Sequence, residues 1–354
     1  MKKIFLSLLI IPVIGIAQIP PGYYNSAAGL SGNPLKVALY NIIKNHTQIS
    51  YSNLWNAYPK TDKKANGKVW DIYSDVPGGT SPYEYTFITD QCGSYNSEGD
   101  CYNREHSWPQ SWFNSVTGPV SDMFHIYPTD GKVNGERSNY PYGNVSIASW
   151  TSLNGGKLGA CSNLGYTNIV FEPIDEYKGD LARGYFYMST RYYSEDASWS
   201  SSDATNKATI LPWQVNVLLQ WHYLDPVSAK EIARNDSIYY LYQHNRNPYI
   251  DNPQWVDSIW HQDVTVFINE MSLTNSYSIY PNPSQNEFRI VNHDQNKQDP
   301  CYMKIYCITG ELIRDEEILF EDNFSIDCSE WARGVYFVSI KNENSSAHFK
   351  LIKE

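Results

Sequence analysis

A carboxylate and an imidazole stand side by side at Glu105 and His106, and this pair is the first chemistry that the sequence offers. On an extended segment, adjacent side chains point to opposite sides, so a bend or twist must bring both to one site. The pair lacks the HExxH spacing of zinc sites, and no cysteine pair has zinc-finger spacing. A site rich in oxygen ligands would suit Mg²⁺ better than Zn²⁺.

A second stretch, residues 122–141, could supply further ligands. Asp130 can cap a helix on which Asn134, Arg137 and Ser138 share one face. An amide oxygen and a guanidinium on that face could hold a metal ion and a phosphate. Two glycines within the segment lower its helix propensity. A capped turn with ordinary polar surface side chains therefore stays open as the alternative.

The charge balance argues against a broad phosphate-binding surface. The 354 residues carry 27 basic and 38 acidic side chains, a formal net charge of −11, and include 29 tyrosines and 11 tryptophans. Residues 18–270 contribute −8 and residues 271–354 contribute −5. With 42% apolar and 18% charged residues, the chain is globular and not disordered. A nucleic acid would have to be bound by a few local cations and a metal ion.

The elements around the two stretches indicate a mixed domain of helices and strands. Residues 33–45 repeat apolar side chains at helical spacing, and residues 207–224 and 226–244 predict two further helices. Residues 66–90 are predicted to be rich in strands and turns.

The N terminus predicts export. Residues 1–17 combine a basic start, an apolar run and small residues before a cleavage site, which is the pattern of a secretory signal peptide. The apolar run is too short to span a bilayer, so no transmembrane segment is expected in the mature chain. Export permits disulfides, and Cys92 and Cys101 could close a local loop, although six cysteines leave the pairing open.

The C-terminal part changes character after Ser278. Short alternating runs predict a small all-β sandwich, at residues 302–308, 311–314, 335–340 and 347–352. The motifs YPNPS at residues 280–284, GVYFV at 334–338 and KLIK at 350–353 resemble the sorting domain of the type IX secretion system. That resemblance implies passage across the outer membrane with the secretion machinery as partner, followed by release or surface attachment. A glycan-binding or adhesion sandwich is the alternative.

The two polar stretches together resemble the bacterial endonuclease I family, within the ββα-metal (His-metal finger) superfamily. The first reads NREHSWPQSW at residues 103–112, and the second is residues 122–141. Further landmarks follow in order, including Glu172-Pro173 and RGYFYM at residues 183–188. The resemblance runs over roughly residues 23–262 and implies an α+β fold, a ββα-metal finger nuclease core with surrounding helices.

The resemblance also implies a mechanism. His106 is expected to be the general base, and Glu105 and Asn134 the protein ligands of one divalent metal, Mg²⁺ with Mn²⁺ or Ca²⁺ as alternatives. The expected activity is sequence-nonspecific endonuclease cleavage of DNA, and also of RNA, by a monomer. Neutral imidazole with a pKa near ~6.5 can take a proton from water, so we expect the rate to fall below roughly pH 6.

One departure from the family concerns the arginine that some members place between the base and the metal-binding helix. Residues 107–121 contain no Arg or Lys. Arg137 and Arg183 are therefore the candidate catalytic residues that would stabilise the cleaved phosphate. Arg137 could equally hold the helix by a salt bridge, and Arg183 could equally be structural.

The predicted organisation has four parts. They are a signal peptide at residues 1–17, an endonuclease I-like catalytic domain at 18–265, a linker at 266–277 and a sorting domain at 278–354. The alternative function is a cell-surface binding or adhesion protein on an inactive nuclease scaffold, which the tyrosine and tryptophan content motivates. The presence of Glu105, His106 and Asn134 together argues against a decayed scaffold.

Overall fold

The structure is a computed structural model that describes residues 19–260, 277–292, 301–307, 312–318, 323–341 and 346–354. These residues fall into two compact units, divided between residues 264 and 265. The predicted signal peptide lies outside the described residues, as does the predicted linker except for Tyr277. No helix among the described residues is long and apolar enough to cross a bilayer.

Helices make up most of the first unit. In chain order they are α1 (Gly32–Ile43), α2 (Leu54–Thr61), α3 (Gly131–Arg137), α4 (Lys178–Arg191), α5 (Pro212–Leu224), α6 (Ala229–Ile238), α7 (Pro248–Asp251) and α8 (Trp255–Trp260). The three predicted helices are confirmed as α1, α5 and α6. Helix α5 begins five residues later than predicted, at Pro212 in its first turn. A π-helical turn, Tyr239–Gln243, extends α6.

Helix α4 forms the centre of this unit. All of its residues are buried, and it packs against α5, α1 and α7. A helix that is buried on every side has no polar face, so its sequence shows no amphipathic period. Its buried charged side chains must therefore find partners inside the protein.

The strands of the first unit form small antiparallel groups. Strand β1 (Tyr102–His106) pairs with β2 (Ile126–Asp130), and β3 (Val145–Thr151), β4 (Lys157–Cys161) and β5 (Ile169–Glu172) form a sheet. A two-residue pair follows, β6 (Thr205–Asn206) with β7 (Thr209–Ile210).

The prediction of strands within residues 66–90 is wrong, since this segment consists of turns and one isolated bridge between Lys63 and Val69. Its backbone N–H groups donate to scattered backbone carbonyls and to side-chain acceptors instead of forming a ladder with a neighbouring strand. The carboxylate of Asp71, for example, accepts from the N–H groups of Tyr73 and Ser74.

The second unit is all-β, as predicted. Its strands are β8 (Tyr277–Tyr280), β9 (Glu287–Asn292), β10 (Cys301–Cys307), β11 (Leu312–Ile318), β12 (Asn323–Asp327), β13 (Gly334–Lys341) and β14 (Ser346–Lys353). They form two antiparallel sheets with the orders β11-β10-β13-β14 and β12-β9-β8. Side chains of both sheets share one apolar core, among them Phe288, Ile290, Met303 and Ile305.

Candidate active site

The segment β1–β2–α3 brings the two polar stretches of the sequence together. Tyr102 lies opposite Asp130 and His106 opposite Ile126 in the antiparallel pair, and α3 starts directly after β2. The carboxylate of Asp130 accepts from the N–H of Val133 at 2.8 Å and so caps α3. The predicted helix is therefore confirmed, and the alternative of an isolated turn is not.

The two glycines of α3 have a structural reason. A Cβ at Gly131 or at Gly135 would collide with the ring of Tyr95. Tyr95 lies in the loop that the disulfide between Cys92 and Cys101 closes, so that predicted pairing is confirmed. The N–H of Gly131 also donates to the carbonyl of Cys101 at 2.9 Å. The closed loop thus packs directly against the helix, at the cost of helix propensity.

Matched side chains join β1 to α3. Asn103 and Glu105 are two residues apart and share one face of the strand. Asn134 donates through Nδ2 to Oδ1 of Asn103 at 2.6 Å, and Arg137 donates through Nη1 to Oε1 of Glu105 at 2.8 Å. The structure therefore brings Glu105 and Asn134 to the same strand–helix junction. The bond to Asn103 uses the amide nitrogen of Asn134 and not its amide oxygen.

Glu105 is a buried carboxylate, with 2% of its surface exposed. Its Oε1 accepts from the hydroxyl of Tyr73 at 2.6 Å as well as from Arg137. Burial raises the pKa of Glu105, and the positive charge of Arg137 opposes that rise. Since both side-chain donors use Oε1, Oε2 is the oxygen that could bind a cation.

Arg137 faces into the protein, with 1% of its surface exposed. Beyond Glu105, its Nη1 donates to the carbonyl of His106 at 3.0 Å. The guanidinium lies over the ring of Tyr142, 4.7 Å from the centroid. This placement lets Arg137 fix Glu105 and the end of β1, and it gives the guanidinium no open face toward a phosphate.

His106 lies at the end of β1 with its tautomer set by its neighbours. Its Nε2 is 3.1 Å from the carbonyl of Val120, which can only accept, so Nε2 carries the proton of the neutral ring. Its Nδ1 then accepts from the side-chain amide of Gln110 at 3.0 Å. The ring of Tyr51 stacks on the imidazole with centroids 5.6 Å apart.

The imidazole of His106 stays neutral over a wide pH range. Burial, and next the neighbouring His125, lower the pKa of His106 to about 3. The fall in rate below roughly pH 6 stays a prediction for a base with the ordinary histidine pKa, and the lowered pKa of His106 would move that fall to a lower pH.

Arg104 is a further cation beside the proposed base, and it is not among the candidate site residues predicted from the sequence. Its side chain is partly exposed, and it lies between the rings of Tyr51 and Trp55, with centroids at 3.6 Å and 4.5 Å. Its Nη1 donates to the carbonyl of Tyr51 at 2.7 Å. Tyr51 also stacks on His106, so one ring touches both the cation and the imidazole. Arg104 and His106 are two residues apart on β1, so the sequence could have predicted that both side chains lie on the same face of the strand.

The other arginines of residues 19–260 all have carboxylate partners. They are Arg137 with Glu105, Arg183 with Glu231, Arg191 with Glu195, Arg234 with Asp62 and Arg246 with Asp251. Within the described residues Arg104 has none.

Arg183 lies away from the junction of β1 and α3. It is fully buried in α4 and donates to Glu231 at 2.5 Å and 2.8 Å, and to the carbonyl of Asp225 at 2.8 Å. Glu231 also completes the capping box with Ser228 that starts α6. Arg183 thus connects α4 to the start of α6, and its bonds reach neither β1 nor α3.

A metal ion at this site would have few protein ligands. Among the described residues no group of three or more His, Cys, Asp or Glu side chains could hold one. Glu105 and Asn134 offer one carboxylate and one amide oxygen, a donor set that fits Mg²⁺ with water completing its shell.

Comparisons with known proteins agree with these features. Residues 31–254 match the family model described as Endonuclease I, and residues 278–354 match the secretion system C-terminal sorting domain. An extracellular ribonuclease of Bacillus amyloliquefaciens is 39% identical over 245 residues, which is 67% of this chain and 78% of that protein. An extracellular ribonuclease of Bacillus subtilis is 36% identical over 247 residues, with the same coverage. An endonuclease-1 of Buchnera aphidicola is 30% identical over 131 residues, 37% of this chain and 46% of that protein.

Proposed function

We propose, since this chain belongs to the endonuclease I family, that it cleaves phosphodiester bonds of nucleic acids with His106 as general base and one divalent metal ion. The chain is a nuclease, and its sorting domain directs it out of the cell or to the cell surface. The observation that supports the proposed mechanism is the junction of β1 and α3, where Asn134 and Arg137 of the helix bond Asn103 and Glu105 of the strand, and the neutral His106 follows Glu105 at the strand end. We propose that β1, β2 and α3 form the ββα-metal finger.

Glu105 and Asn134 would hold the metal, for which we propose Mg²⁺, with Mn²⁺ or Ca²⁺ as alternatives. The metal would supply positive charge to the developing phosphorane and to the leaving oxygen. Arg137 acts through Glu105, because its bond to Oε1 orients the carboxylate and leaves Oε2 for the ion. Arg137 is thus proposed as a positioning residue, and Arg183 as a structural residue that connects α4 to α6.

His106 would take the proton from the attacking water on Nδ1. The carbonyl of Val120 holds the proton on Nε2 and so keeps the lone pair on Nδ1. The amide of Gln110 uses that lone pair now, so it must yield the position to water during the reaction.

Arg104 is proposed as the phosphate contact. It is a partly exposed guanidinium without a carboxylate partner among the described residues, and Tyr51 connects it to the base. A planar guanidinium suits two phosphate oxygens. This assignment fills the role for which residues 107–121 offer no cation.

Both RNA and DNA are proposed as substrates, with no base-sequence specificity. The relatives named extracellular ribonuclease support RNA, and the one named endonuclease-1 supports a general endonuclease.

The test is an activity gel cast with DNA or with RNA. The refolded protein should clear both, lose activity in EDTA and regain it with Mg²⁺ or Mn²⁺. His106→Ala should abolish clearing while the circular dichroism spectrum stays that of the wild type. A folded His106→Ala with wild-type activity would exclude the proposed base. A folded wild type that clears neither gel would instead favour a binding protein on an inactive scaffold.

A further inference from the structure

An open groove of about 600 Å³ is lined in part by residues that follow Gln110 and Arg137 in the sequence. Three aromatic rings line it, those of Trp112, Tyr140 and Tyr166, together with serine hydroxyls and asparagine amides. Its one charged lining side chain is the carboxylate of Asp203, and all of its lining residues belong to the described part of the chain. The groove is thus aromatic and polar, and its lining includes no cationic side chain.

The groove begins where the catalytic segment ends. Trp112 is two residues from Gln110, whose amide contacts His106, and Asn139 is two residues from Arg137, which contacts Glu105. Consecutive Cα atoms are about 3.8 Å apart, so each of these lining residues starts within about 8 Å of a residue that touches the proposed site. A strand cleaved at His106 would pass beside this groove.

Hydrogen bonds hold its walls in place. Tyr166 stacks on Trp213 with ring centroids 4.2 Å apart and planes 4° apart, and its hydroxyl donates to Asp203 at 2.8 Å. The N–H of Ser200 donates to the carbonyl of Trp112 at 3.0 Å. Tyr140 is 39% exposed, which leaves its ring accessible to a ligand. The groove is therefore formed before any ligand arrives.

We propose that this groove binds an unpaired nucleobase of the substrate strand, beside the phosphate that is cleaved, and that the enzyme therefore prefers single strands. The inference rests on the proposed function. Aromatic rings stack on any base, and asparagine and aspartate match the donors and acceptors of base edges. The groove offers no cation to a phosphate, which is left to Arg104 and the metal. A base within a duplex is already stacked and paired and cannot enter.

The test compares Tyr140→Ala with the wild type on a single-stranded oligonucleotide and on the duplex of the same sequence. Loss of one stacked base should lower the ratio of kcat/KM on single strand to that on duplex by about 10-fold. Tyr140→Phe keeps the ring and should restore the ratio. Tyr193→Ala is the matched control, because Tyr193 is also 39% exposed but packs against Tyr40 of α1. An equal loss on both substrates, or none on either, would overturn the proposal.

A binding measurement separates this proposal from the proposed function. Fluorescence anisotropy of a labelled single strand, with His106→Ala as the protein, reports binding without cleavage. Tyr140→Ala in that background should weaken binding of the strand about 10-fold. A neutral oligosaccharide of ten sugar units should not compete with the strand. Competition by the sugar would assign the groove to glycans and overturn the proposal. Wild-type protein that binds the strand through Tyr140 without cutting it would contradict the proposed function alone.

Discussion

The side-chain amide of Gln110 donates to Nδ1 of His106, the ring nitrogen on which the proposed reaction depends. The contact orients the imidazole and at the same time occupies its lone pair. Gln110 is therefore both a support for the base and a competitor of the attacking water.

Changing Gln110 should change the pH profile of the reaction. With the pKa of His106 lowered to about 3 by burial, the wild type should show no acid limb from this base between pH 5 and 8. In Gln110→Glu a carboxylate meets the imidazole and favours its charged form, which should raise that pKa by roughly 1–3 units. An acid limb should then appear near pH 5 in initial rates of oligonucleotide cleavage. Gln254→Glu, at an exposed position, is the control, and identical profiles for both variants would contradict the prediction.

Arg104→Gln should lower kcat/KM on nucleic acid roughly 30-fold. The figure corresponds to about 2 kcal/mol for one hydrogen-bonded contact to a charged phosphate. Arg104→Lys keeps the charge without the planar fork and should lose less. Arg289→Gln removes an equal charge from an exposed site of the sorting domain and serves as control. Equal effects of Arg104→Gln and Arg289→Gln would show that only overall charge matters.

Arg137→Met should destabilise the first unit by about 3–5 kcal/mol, because it leaves the carboxylate of Glu105 buried without its cation. The measurement is urea unfolding followed by tryptophan fluorescence. In the double variant Arg137→Met with Glu105→Gln no uncompensated charge remains, so part of the lost stability should be recovered. If Arg137 only contacted a phosphate, Arg137→Met would leave the midpoint of urea unfolding unchanged, and that result would contradict the prediction.

Three buried histidines should each contribute less to stability as the pH falls from 6.5 to 4. Burial lowers the pKa of His46, and it lowers the pKa values of His125 and His222 to about 4. The unfolded chain, with histidine pKa values near ~6.5, then binds more protons than the folded chain in this window. Each such histidine can remove up to about 1.4 kcal/mol per pH unit. Denaturant midpoints measured across this range, for wild type and His222→Gln, should show a shallower slope for the variant.

Removal of the disulfide should weaken both the fold and the metal site. The double variant Cys92→Ser with Cys101→Ser should lower the free energy of unfolding by about 3 kcal/mol, because the unfolded chain is no longer restricted by the loop that the disulfide closes. Tyr95 then loses its fixed position on α3, so the Mg²⁺ concentration needed for half-maximal activity should rise. Cys161→Ser, which removes a free thiol, should change neither quantity. Unaltered metal dependence in the disulfide variant would show that the loop does not support Asn134.

The sequence predicted the local parts of the site. Asp130 as a cap and Asn134 on the helix are decided by neighbouring residues, and the structure has both. The pairing of Asn103 with Asn134, and of Glu105 with Arg137, depends on how a helix lies on a strand. No spacing within either segment encodes that packing.

Contacts from distant parts of the chain were also out of reach. Tyr73, which bonds Glu105, and Tyr51, which stacks on His106, lie well before β1 and in no recognisable motif. Helix α4 lacked an amphipathic period because it is buried on all sides. The proposed role of Arg104 depends on the ion pairs of the other arginines, which are a property of the folded state.

The carboxylate partners of these arginines also bear on turnover. A nuclease that held its substrate with many free guanidiniums would hold the cleaved strand as well, since both fragments keep their phosphates. Here the charge of five arginines in residues 19–260 is compensated by carboxylates, and Arg104 alone among the described arginines of this range has no carboxylate partner. We therefore expect the arginines to attract the fragments little once the bond is broken, and so to contribute little to product inhibition.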